Sequence, residues 1–309
     1  MNKGRKLRII FMGTPEFAVP GLKALVENQW DVVAVITAPD KPKGRGQKTA
    51  ISPVKEYALS ANIPVLQPTK LKNPQFLEEL RQLEADVQVV IAFRMLPKEV
   101  WQMPPLGTFN LHASLLPKYR GAAPINWAII NGEKETGLTT FFLQHEIDTG
   151  DIIFQEKEPI YPNDTAGTLY ERLMNKGASL VLRTIESIAG DTLKTRMQVF
   201  TDELPTAPKI FKETCEINWD RPAHEIVDFV RGMAPYPGAW ATIQGTAYKI
   251  FEVLPTTDAN LNPGQVDTDQ KTRLLIGTKD KPLSIMAIQA PGKRKMNIVD
   301  YLRGNLMKG

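Results

Sequence analysis

The sequence predicts an α/β protein with a mostly parallel sheet in its N-terminal part and a small β-rich domain at its C-terminus. Up to residue 190, short apolar runs rich in β-branched residues alternate with helical patterns, which is typical of parallel sheets. A polar stretch with Pro205 and Pro208 ends this alternation. A chain of 309 residues is also long enough for two domains. We therefore expect domains at 1–190 and 208–309, joined by a linker at 191–207.

The elements of the N-terminal part follow from apolar runs and helix caps. Buried runs predict strands at 7–12, 31–37, 63–67, 86–93 and 108–111. A helix is predicted at 16–25, and Ser52-Pro53 and Asn73-Pro74 each place a capping residue before a proline suited to a first helical turn. Two further strands at 137–143 and 152–156 precede a helix at 165–188, which stops before Gly190.

The C-terminal part has a different pattern. After one short helix at 224–231, strands joined by Gly/Pro turns are predicted at 239–243, 248–253, 273–277 and 283–288. Most of the small net charge of +4 lies in this part. A small β-rich domain, built as a barrel, is expected.

The composition excludes several classes of protein. The single Cys215 excludes a disulfide framework and cysteine-based zinc clusters. The three histidines are far apart, so no metal site is expected. We find no apolar run of the ~18 residues that a membrane span requires and no signal-peptide pattern, and we expect a cytoplasmic protein with no membrane contact.

The loops after the strands are where open parallel sheets bind ligands. The first of these loops, Gly13-Thr14-Pro15, has one glycine instead of the three of a dinucleotide fingerprint. NAD binding is therefore disfavoured. The phosphate-binding Gly-x4-Gly-Lys-Ser/Thr motif is absent from the sequence, which argues against nucleoside triphosphate hydrolysis.

The most informative segment surrounds Asn110 and His112. These residues are two apart at the end of a strand, so their side chains project from one face. An amide donor and an imidazole on one face can stabilise an oxyanion, and the histidine can also move a proton. The alternative to a catalytic role is that Asn110 and His112 are structural residues that end the strand.

Acidic and basic groups supply two further candidates. Asp148, in Asp-Thr-Gly-Asp, can orient His112 and favour its charged form, or simply form a turn. His145 is treated as a bystander. The segment 41–48 is expected to be a mobile basic loop, which either contacts phosphates or is merely solvated, and basic residues recur at 293–295.

These motifs resemble a known family. The segment Asn110–Pro117, Asn-Leu-His-Ala-Ser-Leu-Leu-Pro, followed by Asp-Thr-Gly at 148–150, resembles the signature of the folate-dependent formyltransferases. The Gly-Arg-Gly loop at 44–46 and the C-terminal β domain are similar to those of members that act on tRNA. The resemblance implies a Rossmann-like N-terminal domain and an OB-like C-terminal domain.

The resemblance also implies an activity and a set of site residues. Its expected reaction is formyl transfer from 10-formyltetrahydrofolate to the α-amino group of methionyl initiator tRNA, without a metal. Asn110, His112 and Asp148 would be catalytic. The residues expected to bind the folate are Ser114, Leu115, Leu116 and Pro117, with Arg94, Met95 and Leu96 beside the pterin. The residues expected to bind tRNA are Lys41, Lys43, Arg45 and Lys48, helped by the C-terminal domain. No DNA partner is expected, and the family is monomeric as a rule.

Three alternatives stay open at this point. A formyltransferase acting on sugar-nucleotide amines shares the pattern at 115–127, but the basic loop and the Asp-Thr-Gly-Asp segment argue against it. A glycinamide ribonucleotide formyltransferase would lack the C-terminal domain. A non-catalytic tRNA-binding protein would not need Asn110, His112 and Asp148.

Overall fold

The computed structural model describes residues 6–43, 48–201 and 203–305, with the backbone alone at 41–43 and 48–49. These residues form two compact units. The first takes in the chain up to Arg120 together with Gly137–Glu158 and Tyr170–Pro205, and the second takes in Gly121–Thr136, Pro159–Leu169 and the chain from Thr206 onward. Within the described ranges, no helix has both the length and the apolar character that a membrane crossing needs.

Strands and helices are numbered separately, each in chain order. The strands are β1 (Arg8–Gly13), β2 (Asp31–Ile36), β3 (Lys41–Lys43), β4 (Lys48–Ala50), β5 (Val65–Leu66), β6 (Val87–Ile91), β7 (Thr108–His112), β8 (Arg120–Gly121), β9 (Glu135–Phe142), β10 (Ile152–Pro159), β11 (Thr206–Ala207), β12 (Ala239–Ile243), β13 (Thr246–Pro255), β14 (Val266–Thr268), β15 (Leu274–Ile276), β16 (Leu283–Gln289) and β17 (Met296–Asn297). The helices are α1 (Val19–Glu27), α2 (Pro53–Ser60), α3 (Pro74–Gln82), α4 (Lys98–Trp101), α5 (Pro124–Ile130), α6 (Ala166–Ala189), α7 (Ala223–Met233) and α8 (Ile298–Gly304).

The first unit is built on a seven-stranded sheet of order β10-β9-β7-β6-β1-β2-β5. The pairs β1–β2, β1–β6, β6–β7 and β2–β5 are parallel, whereas β7–β9 is antiparallel. The central strand β1 is buried from Ile9 to Met12, as expected for a parallel strand covered on both faces. The predicted Rossmann-like fold is thereby confirmed.

Local sequence signals set the starts of two helices as predicted. The Ser52 hydroxyl accepts a hydrogen bond from the Lys55 amide at 3.1 Å, which caps α2. The Asn73 side chain accepts one from the Gln75 amide at 2.8 Å, which caps α3. In both helices a proline follows the cap, at a position whose amide would have no partner inside the helix.

The basic segment 41–48 differs from the expected mobile loop. Its two ends are antiparallel strands, β3 and β4, in which Lys41 pairs with Ala50 and Lys43 with Lys48. This pairing satisfies backbone donors and acceptors that a loop would leave to water. The stretch 44–47, and with it Arg45, lies outside the described residues.

The second unit contains an antiparallel sheet of order β12-β13-β16-β15-β14, with β17 paired to β16. Its core includes Ile226, Val230 and Ile250, which are almost completely buried. The predicted β-rich C-terminal fold is thereby confirmed, and β14, β17 and α8 are additions that the sequence pattern did not indicate.

The second unit also takes in a helix from the N-terminal half, so the division differs from the predicted boundaries at 190 and 208. Helix α5 packs against α7, where the Asn126 side chain donates a hydrogen bond to the Gly232 carbonyl at 2.8 Å. The segment expected to be a linker, 191–207, belongs to the first unit up to Pro205. A contact pattern that joins distant parts of the chain cannot be read from a local change in composition.

Candidate active site

The loops after β6 and β7 emerge side by side. These two strands are adjacent and parallel, with Val90 paired to Asn110 and Ile91 to Leu111. Because carboxyl ends of parallel strands meet at one edge, residues 92–97 and 113–118 begin at the same edge of the sheet. The predicted candidate residues are concentrated there and at the end of β7 itself.

His112 is the last residue of β7, and its ring is held by the backbone. Its side chain is 7% exposed. Nε2 lies 2.8 Å from the main-chain carbonyl oxygen of Tyr119. A carbonyl only accepts, so Nε2 is the donor, and Nδ1 is the ring nitrogen left for other partners.

Asp148 faces this second nitrogen. Its Oδ2 lies 3.9 Å from Nδ1 of His112, and its side chain is 11% exposed. The residue belongs to the connection between β9 and β10 and has a φ of 55°, a left-handed backbone that is uncommon for a residue with a side chain. Sequence reasoning paired Asp148 with His112, and the structure brings the two together.

Asn110 is two residues before His112 on the same strand and presents its side chain from the same face. Its Oδ1 is buried and has no hydrogen-bond partner. Buried polar atoms are nearly always paired. An orphaned amide oxygen on the strand face that also presents His112 therefore marks a place where a hydrogen-bond donor of a ligand fits.

The predicted pterin contacts lie in the loop after β6. Arg94 donates to the carbonyl oxygens of Pro68 and, at 3.0 Å, Thr69, whereas its buried Nε has no partner. Met95 is 71% exposed, and Leu96 is 9% exposed. This loop thus offers an unpaired donor, an exposed apolar side chain and a buried one, which suits a flat polar ring system.

The other predicted folate residues form a tightly bonded turn after β7. The buried Ser114 hydroxyl donates to the Lys118 carbonyl at 2.7 Å. The Thr139 hydroxyl donates to the Ser114 carbonyl at 2.6 Å, and the Leu116 amide donates to Thr139 at 3.1 Å. Leu115 and Pro117 are half-buried, and Leu116 is buried. The side chain of Ser114 is therefore occupied in shaping the turn.

Three of the four residues predicted to bind tRNA lie in β3 and β4, the antiparallel strands of one hairpin. Lys41, Lys43 and Lys48 are strand residues, described here by their backbone only, and Arg45 lies outside the described residues. The structure thus leaves their side-chain roles as predictions.

Asp40, next to this hairpin, is tied into the unit. Its carboxylate accepts from Lys55 Nζ at 2.5 Å and from Gln67 Nε2 at 2.8 Å, and Lys55 also donates to Gln67 at 2.7 Å. The hydrogen bond from Lys55, with that from Gln67, holds the pKa of Asp40 below its usual value. The first strand of the hairpin therefore starts from a fixed point.

Two residues that the sequence did not suggest complete the surroundings. Tyr119 supplies the carbonyl that holds His112. Gln198 donates to the carbonyls of Asp148 and Gly150. A backbone carbonyl has no sequence signal, and a lone Gln in an irregular segment has none either.

Comparisons with known proteins find relatives that match nearly the whole chain. The family described as formyl transferase matches residues 6–185, and the family described as formyl transferase, C-terminal domain, matches residues 209–306. The methionyl-tRNA formyltransferase of Bacteroides thetaiotaomicron is 51% identical, over 98% of this chain and 97% of its own. That of Parabacteroides distasonis is 52% identical, with nearly the same coverage, 98% and 97%.

Solved structures agree on the fold. The N-formyltransferase of Helicobacter canadensis, solved with folinic acid and dTDP-3-aminofucose, superposes with a TM-score of 0.69 at 25% identity, over 94% of this chain and 100% of that one. The curated relatives share twice that identity over almost their full length. The chain belongs to the formyl transferase family and, within it, to the methionyl-tRNA formyltransferases.

Proposed function

We propose that this chain transfers a formyl group from 10-formyltetrahydrofolate to the α-amino group of methionine on initiator tRNA, with Asn110, His112 and Asp148 as the catalytic residues. The observation that carries the proposal is the arrangement of these three side chains. His112 is fixed by Tyr119 so that Nδ1 faces Asp148, and the orphaned amide oxygen of Asn110 is on the same strand face.

The distance between His112 and Asp148 suits an amine placed against both. At 3.9 Å, Nδ1 and Oδ2 are too far apart for a hydrogen bond to each other. A nitrogen about 2.8–3.0 Å from each would form a triangle with them, at ordinary hydrogen-bond lengths. Asp148 then accepts the proton that the attacking amine loses and passes it to Nδ1 of His112, which donates it to the nitrogen that loses the formyl group.

Asn110 is the residue suited to the charge that develops on the formyl oxygen. Its amide nitrogen donates to that oxygen, while its oxygen accepts from the amine. A preorganised donor of this kind is typically worth ~10²–10³ in rate. An aminoacyl α-amine has a pKa no higher than the ~7.7–8.0 of a chain terminus, so enough of it is neutral at pH 7 to attack.

The donor fits the edge formed by the loops after β6 and β7. When bound, 10-formyltetrahydrofolate supplies the formyl group that the amine receives. The buried Nε of Arg94 has no partner and is a protein donor available to its heteroatoms. The exposed Met95 and the half-buried Leu115 provide apolar contact for its rings.

The acceptor is a polyanion, so its binding needs distributed positive charge. We assign this role to Lys41, Lys43, Arg45 and Lys48, with the basic residues at 293–295 as contacts in the second unit. Asn110, His112 and Asp148 all come from one chain, so the proposed reaction needs only a monomer. No DNA partner is part of the proposal.

One assay tests the proposal. The protein is incubated with 10-formyltetrahydrofolate and charged methionyl initiator tRNA, and formylmethionine is sought by mass spectrometry. Methionyl elongator tRNA and a dTDP-linked amino sugar serve as competing acceptors. Formylmethionine made on the initiator tRNA supports the proposal. Formylation of the sugar alone would overturn it.

A further inference from the structure

We propose that Gln198, in the segment 196–200 here called the strap, is a positioning residue that holds Asp148 against His112. The inference rests on the proposed function, because it assigns Asp148 a catalytic role. Sequence reasoning treated this segment as a linker, yet it lies within the first unit, alongside Asp148 and His112.

Gln198 makes two bonds to the turn that carries Asp148. Its Nε2 lies 2.9 Å from the carbonyl oxygen of Asp148 and 2.8 Å from that of Gly150. Both partners are acceptors, so the amide must point its nitrogen toward them, and the reverse orientation would set three oxygens together. The side chain is 7% exposed, which excludes water as an easy substitute for these bonds.

The bonded turn has a backbone that needs support. Asp148 has a φ of 55°, and such left-handed residues persist where surrounding structure holds them in place. Gln198 bonds the carbonyl of this residue and the one two positions later, so it clamps the turn on both sides of Thr149. Loss of the clamp frees the carboxylate to move relative to His112.

The Gln198 amide buries an unpaired polar atom, which costs stability that an apolar side chain would not. Oε1 of Gln198 is buried and has no hydrogen-bond partner. An apolar side chain of similar length would fill the space without burying this oxygen. Unsatisfied buried groups in a folded protein need an explanation, and the two bonds to the Asp148 turn provide it.

Neighbouring positions of the strap hold other parts of the site. Arg196 and Phe200 lie two residues before and after Gln198 in the strap. The Arg196 amide donates to the Ile152 carbonyl at 2.9 Å, and the Ile152 amide donates to the Arg196 carbonyl at 2.8 Å. Ile152 lies just after the Asp148 turn. Phe200 lies 4.6 Å from the guanidinium carbon of Arg120, measured to the ring centroid.

The side chain of Arg196 reaches the turn that follows β7. It contacts Gln155, which donates to the Leu116 carbonyl at 2.8 Å and to the Thr139 hydroxyl at 3.0 Å. Farther along the chain, the Pro205 carbonyl accepts from the Tyr119 amide at 2.6 Å. The carbonyl of Tyr119 in turn holds His112. The stretch from residue 196 to residue 205 therefore bonds both the turn that carries Asp148 and the residue, Tyr119, that holds His112.

The test uses Gln198→Met, which keeps length and removes the donor, measured by formylation of methionyl initiator tRNA. A displacement of about 1 Å in a catalytic group costs up to ~10²-fold in rate, so we expect kcat to fall about ten- to hundredfold with KM for tRNA unchanged. The matched controls are Met197→Ala and Val199→Ala, whose side chains are 79% and 77% exposed, and both keep wild-type kcat.

A double-mutant cycle separates positioning from general weakening. If Gln198 acts through Asp148, Gln198→Met has no further effect on kcat in an Asp148→Asn protein. An equal fall in both backgrounds, or an unchanged kcat for Gln198→Met alone, would overturn the inference. If the Met variant fails to fold, Gln198→Leu, a smaller apolar side chain without a donor, takes its place with the same expectations.

The outcomes also distinguish this inference from the proposed function. A wild-type protein that makes no formylmethionine refutes the proposed function. Wild-type activity together with Gln198 variants at full kcat refutes the positioning role alone.

Discussion

A Cβ added to Gly150 would lie 1.6 Å from the carbonyl oxygen of Phe142. No side chain can occupy that space, because Cβ contacts below 3.0 Å are essentially never seen. The turn that carries Asp148 is therefore pressed against the end of β9, with glycine as the one residue that lets it approach so closely. The position of Asp148 near His112 therefore depends on the close approach of Gly150 to Phe142 as well as on the positive φ of Asp148.

Gly150→Ala is expected to displace the turn and to lower both stability and activity. The added methyl group must push the backbone at residue 150 away from that of Phe142. Overpacking of this kind costs roughly 1–3 kcal/mol. Thermal unfolding measures the stability, and formylation of methionyl initiator tRNA measures the activity. We expect kcat to fall more than KM changes, because the displaced residue is the proposed proton acceptor.

Gly304→Ala is the matched control. Nothing lies within 4 Å of a Cβ at Gly304, so the same methyl group meets open space. This variant should melt no lower than the wild type, because alanine favours the helical position at the end of α8, and should keep its kcat. A Gly150→Ala protein as stable and active as the Gly304→Ala protein would refute the importance of the close approach.

Asp148→Asn is expected to lower kcat by ~10²–10⁴, the range for removal of a general acid or base. Asparagine has nearly the same size and tolerates a positive φ well, so the turn keeps its shape. The variant loses the negative charge that faces Nδ1 of His112. Steady-state kinetics measures kcat, and binding of tRNA should be unchanged. Full activity of Asp148→Asn would remove Asp148 from the proposed mechanism.

The sequence predicted the parts of the site that share a strand or a motif. Asn110 and His112 follow from the two-residue period of β7, and Asp148 from a motif that resembles the family signature. The N-caps at Ser52 and Asn73 rest on similarly local signals and are present as expected.

What the sequence could not indicate depends on contacts between distant residues. Gln198 bonds a residue fifty positions earlier, and the Tyr119 carbonyl holds a ring seven positions away. Backbone acceptors look alike in every sequence. Helix α5 was also missed, because its seven residues are too few to show a clear helical period.

Two substitutions at Asn110 separate its donor role from its shape. Asn110→Ala removes the amide, and we expect kcat to fall ~10²–10³, as for other donors to a developing oxyanion. Asn110→Asp keeps the shape but brings a carboxylate that repels the same oxygen, so its kcat should be lower still. Binding of tRNA should be the same in both. An Asn110→Asp variant as fast as the wild type would show that no oxyanion forms there.

Lys55→Met is expected to loosen the attachment of the basic hairpin and to raise KM for tRNA with little change in kcat. The ammonium of Lys55 binds Asp40, immediately before β3, and Gln67, immediately after β5. Its removal leaves the first strand of the hairpin without its ionic anchor. Lys23→Met is the matched control, because it removes the same charge from an exposed pair with Glu27. Equal KM values for the two variants would show that only net charge matters.

The pH dependence of the Asp40 anchor follows from its lowered pKa. A carboxyl whose pKa is lower in the folded state than the ~3.9 of the unfolded chain stabilises the fold above that value. The contribution is lost as pH falls through the lowered pKa, so the anchor persists throughout the neutral range. In Lys55→Met the carboxyl loses its main stabilising hydrogen bond, and its pKa rises toward the ordinary value. Carbon NMR titration of the Asp40 carboxyl measures this shift, and an unchanged titration midpoint in Lys55→Met would contradict the anchor.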